Sequence, residues 1–290
     1  MLEVDRIEKS FGTQSVLKRI SFSVKPGEIY GLIGKNGAGK TTLMNIMAGL
    51  SSADKGNCRI NGEDVCIGKE NAKVGYLPDL PAFFEYLSAG EFLDFLLMNS
   101  NKKRRNDLLR IVELPGGKRI SSMSRGMRQR LGIAAAIIND PDVILLDEPT
   151  SALDPSGRAE VMDILKKLRQ NGKAIVLSTH ILSDMERICD KVGFLSDGII
   201  KRSLDISELY EGCAHIRISF KDDVNKDVLN SSGIKYSIEG NYVYRFEVDQ
   251  KDVVNSQKRI FGTIACLDSE ILSIQNESND LDKMFQEVCR

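Results

Sequence analysis

Residues Gly34-Lys35-Asn36-Gly37-Ala38-Gly39-Lys40-Thr41 have the spacing G-x-x-x-x-G-K-[ST] of a loop that wraps a triphosphate. Glycines let successive backbone N–H groups turn inward toward an anion. In such a loop Lys40 supplies a point charge to the β- and γ-phosphates, and Thr41 places a hydroxyl on Mg²⁺. Farther along, the apolar run Val143–Leu146 stops on Asp147-Glu148. Two acids at the end of a buried strand can hold a metal and a water at the edge of a sheet. Asp147 is then the metal ligand and Glu148 the general base that polarises the water. A third apolar run, Ala174–Ser178, leads directly into Thr179 and His180.

These side chains need elements that hold them still. Glu28–Ile33 is short and apolar and runs into the glycine-rich stretch. Leu43, Met44, Ile46, Met47 and Leu50 recur at helical spacing, so a helix follows and turns its positive end toward the loop. Leu2–Val4 and Ser21–Val24 alternate as strands, and Pro26-Gly27 marks a turn. Phe83–Ile120 is mostly helical in pattern, with the apolar run Phe92–Met98 expected as core helix. Gly126–Asn139 continues as helix. Pro155 opens a helix that Asp154 caps and Asn171-Gly172 ends. Ala174–Ser178 and Lys191–Leu195 are further strands. Strands alternating with helices predict a parallel sheet buried on both faces.

Composition shifts after about Leu209. Ala214–Phe220 alternates as a strand, and Lys235–Ile238 with Tyr242–Val248 forms a hairpin around Glu239-Gly240-Asn241. A helix over Gln250–Ile260, a strand over Ile264–Ile274 and a helix over Leu281–Val288 complete the chain. That order predicts a small α+β sandwich of the split βαβ type. The expected division is 1–210, with a helical subdomain over about 80–138, and 211–290.

The chain has 290 residues, a length that suggests one large domain or two ordinary ones. Lys plus Arg is 40 against 41 Asp plus Glu, which argues against a whole-surface nucleic-acid binder. No apolar run approaches the roughly 20 residues of a membrane helix, and the N-terminus lacks a signal-peptide pattern. Cysteines at 58, 66, 189, 213, 266 and 289 form no C-x-x-C pair. They are expected to be free or buried thiols, and two histidines disfavour a His-based metal site.

Taken jointly, the motifs resemble the nucleotide-binding subunit of an ATP-binding-cassette (ABC) transporter. Met123-Ser124-Arg125-Gly126-Met127-Arg128-Gln129-Arg130-Leu131 resembles the family signature L-S-G-G-Q. Ile144–Asp154, ILLDEPTSALD, resembles the second acidic motif and the loop after it, and Ser178-Thr179-His180 resembles the switch-histidine motif. The resemblance covers about Leu2 to Gly198. It implies an α/β P-loop NTPase core: a mostly parallel sheet with helices, an N-terminal antiparallel β subdomain and a helical subdomain, followed here by the small α+β domain. It implies MgATP hydrolysis, with Glu148, His180 and Lys40 catalytic. Nucleotide contacts carry over to Gly34, Lys35, Asn36, Gly37, Ala38, Gly39, Lys40, Thr41 and Thr42, with Phe11 stacking on adenine. Ser124 and Gly126 clasp the ATP of a second copy, so the dimer is ATP-dependent. Metal contacts fall on Thr41, Asp147 and Asp79. The partner is a separate transmembrane permease, which places the chain in the cytoplasm on the inner face of the membrane. The S-R-G-M-R-Q-R form resembles the exporter-like subgroup, and the C-terminal segment resembles the appended domain of drug-, lantibiotic- and antibiotic-exporting ATPases.

Some residues carry two readings. Asp79 stands where the family often has Gln and is either its charged replacement or a solvated loop acid. Arg125 adds charge near phosphate or lies on the surface, and Phe11 is an adenine platform or core. Phe83, Phe84 and Tyr86 meet the permease or fill the helical subdomain. Lys102–Arg105 is a solvated face or touches anionic headgroups. Residues 211–290 support the dimer, bind a partner or regulate. The rival functions are a soluble ABC ATPase acting on nucleic acid or the ribosome, and an ATP-binding regulator that does not hydrolyse. The short interval between Lys40 and Ser124 and the single cassette oppose the first, and intact Lys40, Asp147, Glu148 and His180 oppose the second.

Overall fold

The computed structural model describes residues 1–68, 73–98, 101–151, 153–211, 215–249, 252–277 and 281–288. Cys213 and Cys289 lie outside the described residues. So do Ala152 of the acidic-motif stretch, the expected strand and helix starts Ala214 and Gln250, and Asp280. The chain divides into two compact units, one of Met1–Leu204 with Glu287 and Val288 and one of Asp205–Gln286.

In chain order the first unit runs β1 (Leu2–Phe11), β2 (Gln14–Val24), β3 (Ile29–Ile33), α1 (Lys40–Met47), β4 (Lys55–Ile60), β5 (Glu63–Asp64), β6 (Val74–Leu77), α2 (Ala89–Leu96), α3 (Lys102–Ile111), α4 (Arg125–Ala136), β7 (Val143–Asp147), α5 (Pro155–Gln170), β8 (Ala174–Ser178), α6 (Leu182–Ile188), β9 (Lys191–Ser196) and β10 (Ile199–Asp205). One sheet is four-stranded and antiparallel, in the order β2-β1-β4-β5. The other has six strands in the order β10-β9-β3-β8-β7-β6. In it β3 is parallel to β8 and β9, and β7 is parallel to β8 and β6. Strands β3, β7 and β8 are buried along their whole length, which explains their continuous apolar runs. Because they are parallel, their carboxyl ends reach one edge, where open α/β sheets bind ligands.

Helix α1 lies in a core shared by both sheets. Leu43, Met44 and Met47 are fully buried among Ile7 and Leu17 of the antiparallel sheet and Leu32, Leu145 and Val176 of the other. Each such side chain contributes roughly 1.5–3 kcal/mol on burial. The phosphate loop is therefore anchored at both ends, by β3 before it and α1 after it.

The helical region is tied by its polar groups as well as its core. Ser88 and Glu91 form a capping box at the start of α2. Arg104 of α3 donates to the carbonyls of Ile137 and Ile138 just past α4, at 2.5 and 3.0 Å. Arg130 of α4 donates to the carbonyls of Val112 and Glu113 just past α3, at 3.1 and 3.0 Å. Each arginine thus satisfies the loose carbonyls at the end of the other helix. The basic run is accordingly divided. Arg104 and Arg105 serve the fold, Arg105 through Asp94 at 2.7 Å, while Lys102 and Lys103 are exposed.

The run Phe92–Met98 corrects the expectation of a core helix. Phe92 and Leu93 are buried, but Phe95, Leu96 and Met98 are exposed, because α2 packs against α3 and α4 through one face only. The aromatics divide likewise. Phe83 is half-buried and packs edge-on to Phe92, whereas Phe84 is exposed with Tyr86 and Phe95, its ring centroid 6.0 and 5.3 Å from theirs.

The second unit contains α7 (Ile206–Glu211), β11 (His215–Phe220), α8 (Lys226–Ser231), β12 (Tyr236–Gly240), β13 (Val243–Glu247), α9 (Val253–Ile264), β14 (Ile271–Glu277) and α10 (Leu281–Val288). The antiparallel sheet has the order β12-β13-β11-β14, that of a split βαβ unit. Leu229 of α8 and Ile260 and Ile264 of α9 pack with Ile216, Phe220 and Phe246. Helix and strand here fall later than the sequence predicts: Ile264 continues the Ile260 face at i+4, so it belongs to the helix. Strands β4, β6 and β10 are absent from the sequence reading, since KGNCRI and IIKRSLD are largely polar and VGYL is brief.

The described cysteines 58, 66, 189 and 266 are free thiols. Burial pushes the Cys58 thiol up to about 12 and raises that of Cys189 as well, so neither is a nucleophile at neutral pH.

Candidate functional site

The phosphate loop begins where β3 leaves the sheet. A Cβ on Gly34 would sit 2.5 Å from the Leu195 carbonyl oxygen, so only glycine allows this approach. Gly39 caps α1 with φ 103°, a left-handed conformation, and a Cβ there would come within 2.8 Å of Leu17 of β2. The first N–H groups of α1 have no acceptor within the helix and carry its positive end. Lys35, Asn36 and Gly37 are exposed at the crest, Ala38 and Thr42 are half-buried, and Thr41 is open to solvent.

Lys40 is 7% exposed, and its ammonium donates to the carbonyls of Gly34 and Lys35 at 2.8 and 3.3 Å. It therefore lies curled inside the loop that it serves. Its nitrogen is also 3.9 Å from the Glu148 carboxylate.

At the end of β7, Asp147 is 1% exposed. One carboxylate oxygen accepts from the Thr41 hydroxyl at 2.6 Å and the other from the Ser178 hydroxyl at 2.5 Å. The Thr41 hydroxyl and the Asp147 carboxylate are hard oxygens placed together beside an anion loop, the donor set that Mg²⁺ takes alongside phosphate oxygens. Glu148 has φ 52°, and its N–H donates to both the carbonyl and the hydroxyl of Ser178, at 3.1 and 3.0 Å. Its side chain meets His180 Nδ1 at 2.9 Å through Oε2. His180 is exposed just beyond β8, where Thr179 accepts from the Ile181 N–H at 3.1 Å.

The structure thus brings Lys40, Thr41, Asp147, Glu148 and His180 together at one edge. Asp79 is exposed past the end of β6 and accepts from Ser151, in the loop after Glu148, at 3.5 Å. Burial, then the charges of Asp147 and Asp79, push the Tyr76 phenol up to about 12, so it stays neutral. Phe11 ends β1 with 56% of its surface exposed and the Lys9 ammonium 5.5 Å from its ring centre, so it is not core.

Ser124 and Gly126 belong to a second cluster. Ser124 caps α4, accepting from the Met127 N–H at 3.3 Å. With Arg125, Gly126, Asp154, Ser156 and Glu160 it lines a cavity that no described phosphate-loop residue lines. Asp154 caps α5 through the Gly157 N–H at 2.9 Å, as its place before Pro155 predicts. Ser178 is the site residue that sequence reasoning passed over as part of a motif. Its signal was register: in the parallel pairing of β7 with β8 it stands opposite Asp147.

A sequence profile described as ABC transporter matches residues 17–151. The bacitracin transport ATP-binding protein BcrA of Enterococcus faecalis is 38% identical over 222 residues, 73% of this chain and 71% of that one. The uncharacterised ABC transporter ATP-binding protein YxlF of Bacillus subtilis is 39% identical over 217 residues, 72% of each. The dimeric, post-hydrolysis structure of the ATP-binding cassette MJ0796 with ADP and Pi superposes with a TM-score of 0.64 at 26% identity, over 71% of this chain and 99% of that one. The chain belongs to the ATP-binding proteins of ABC transporters. This is a family of ATPases whose nucleotide-binding domain binds ATP. Neither the relatives nor the near-neutral charge favours action on nucleic acid.

Ser178→Ala removes one hydroxyl from Asp147 and from the Glu148 N–H while leaving the strand intact. Steady-state phosphate release is expected to fall about tenfold or more, from loss of a hydrogen bond to a charged group, and the melting temperature to drop by several degrees as the buried Asp147 oxygen loses its donor. Unchanged release would show that Ser178 does not hold the acids in place.

Proposed function

We propose that this chain hydrolyses MgATP within a head-to-tail homodimer and drives export through a separate membrane permease. The observation that carries this reading is the contact of Glu148 with His180 at 2.9 Å, with Lys40 at 3.9 Å from the same carboxylate and Thr41 bonded to Asp147 next to it. A base, its orienting partner, a phosphate-binding cation and a pair of metal ligands then share one sheet edge.

In this reading Gly34–Thr42 cradle the triphosphate with backbone N–H groups, and Lys40 meets the β- and γ-phosphates. Thr41 and Asp147 hold Mg²⁺, with Asp79 joining them from the same edge. When bound, the ion neutralises charge developing on the phosphate oxygens. Glu148 takes a proton from the attacking water as its oxygen adds to the γ-phosphorus and ADP leaves. His180 orients that carboxylate and approaches the γ-phosphate. Phe11, exposed at the end of β1, offers its ring face to adenine.

Ser124 and Gly126 of a second copy close the site, so ATP draws two chains together and hydrolysis releases them. Among the described residues no helix is long and apolar enough to cross a membrane. In this reading the channel belongs to a partner. The exposed cluster Phe84, Tyr86 and Phe95 suits that contact, since aromatic anchors dominate interfaces. The chain then sits on the cytoplasmic face of the membrane through its permease. The similarity to a bacitracin transport protein supports export. Residues 1–210 carry this chemistry, and 211–290 form an accessory domain.

Glu148→Gln keeps the shape of the side chain and removes the base. It is expected to lower phosphate release by about 10²–10⁴-fold and to accumulate a MgATP-bound dimer on gel filtration; turnover equal to wild type would overturn the assignment. Phe84→Asp is expected to leave ATPase activity intact and abolish transport in the permease complex, whereas Phe83→Asp destabilises the fold through its contact with Phe92. Full transport by a folded Phe84→Asp complex would remove this cluster from the interface.

A further inference from the structure

We infer that Lys9 is a positioning residue for the nucleotide base: its ammonium, fixed by Asp54, lies over the Phe11 ring and readies that ring for stacking. This rests on the reading of Phe11 as the adenine platform. It gives a task to two charged residues, Lys9 and Asp54, that the proposed chemistry leaves unused.

Phe11 stands where little holds a side chain. It ends β1 beside the two-residue turn Gly12-Thr13, pairs with Gln14 at the start of β2, and leaves 56% of its surface exposed. A ring at the tip of a hairpin is free to change rotamer, and a ligand that stacks on it must first still it. Lys9, two residues earlier on β1, places its ammonium 5.5 Å from the ring centre, within the range at which a cation is attracted to an aromatic face.

That ammonium is itself fixed. The Lys9 side chain is only 12% exposed and donates to one Asp54 oxygen at 3.0 Å. The other Asp54 oxygen accepts from the Ser10 N–H at 2.7 Å, and the Asp54 N–H donates to the Glu8 carbonyl at 2.8 Å. Asp54, just before β4, thus grips three consecutive residues of β1 next to Phe11. The hydrogen bond from Lys9, then that from the Ser10 N–H, holds its carboxyl below the usual carboxylate range, so it stays ionised. The rival acid Glu8 is occupied by Lys55 at 2.9 Å and faces Arg19 at 3.7 Å, which leaves Lys9 to Asp54.

A cation held over an aromatic ring does two things. It restricts the ring to orientations that keep one face toward the charge, so the platform is set before the ligand arrives. It also draws electron density from the ring, and an electron-poor ring stacks best on a large, electron-rich base. Lys9 therefore favours purine over pyrimidine nucleotides and is indifferent to the triphosphate. Asp54 acts through Lys9, and Lys9 through Phe11.

The test is calorimetry on the full chain with MgATP, MgCTP and magnesium tripolyphosphate, which lacks a base. Lys9→Met keeps the stem and removes the charge. It is expected to weaken MgATP binding about threefold, to weaken MgCTP less, and to leave tripolyphosphate unchanged. Lys9→Arg restores MgATP binding, because a guanidinium also lies over an aromatic face. In a Phe11→Ala background Lys9→Met has no further effect, since the two act as one unit. If Phe11→Ala weakens MgATP binding but Lys9→Met does not, or if Lys9→Met still weakens it without the ring, this inference fails alone. An equal loss for all three ligands also overturns it, as damage to the fold. If Phe11→Ala leaves MgATP binding unchanged, the platform reading fails and takes this inference with it.

Discussion

One buried carboxylate organises the sheet edge. Asp147 is almost wholly removed from water, yet it is charged in any state that binds a metal. A charge so buried is tolerable only when its oxygens are satisfied. The two hydroxyls that satisfy it come from different elements, Thr41 at the start of α1 and Ser178 at the end of β8. Three pieces of chain distant in sequence are therefore fixed against one side chain. Removing either donor leaves a buried lone pair unmatched, at a cost of about 1–3 kcal/mol.

The neighbouring residue inherits that order. Glu148 holds a left-handed backbone, a conformation that costs of order 1–3 kcal/mol for a residue with a side chain. It persists because the Glu148 N–H is bonded to both the carbonyl and the hydroxyl of Ser178. That turn brings the Glu148 carboxylate to His180 and Lys40. Ser178 thus holds the Asp147 carboxylate with its hydroxyl proton and the Glu148 N–H with its oxygens. The strain at Glu148 and the burial of Asp147 are two results of the same registration of β7 on β8.

Much of this was legible in the sequence where residue type and spacing coincide with a backbone demand. The phosphate loop, the acid pair, the Asp154 cap and the bounds of α5 and β8 each follow from local chemistry. The chain order of strands and helices in the second unit predicted a split βαβ type, and the sheet order β12-β13-β11-β14 is that of one. What stayed hidden was set by tertiary pairing. Strands β4 and β10 carry few apolar residues and β6 is only four residues long, and all three exist because a neighbour completes their hydrogen bonds. The reciprocal arginine clasp of α3 and α4 has no sequence signature, since a basic run looks the same whether its guanidinia face water or carbonyls. The division of Phe83 from Phe84 likewise depends on which ring finds Phe92.

The account requires Thr41 and Asp147 to act as a unit toward a magnesium–nucleotide complex, so their coupling is the most direct thing to measure. MgATP affinity would be determined by calorimetry for wild type, Thr41→Val, Asp147→Asn and the double variant, with and without Mg²⁺. The account predicts that each single change removes most of the Mg²⁺-dependent gain in affinity and that the double change removes little more. Losses that simply add, or a Mg²⁺-dependent gain that survives in the double variant, would contradict it.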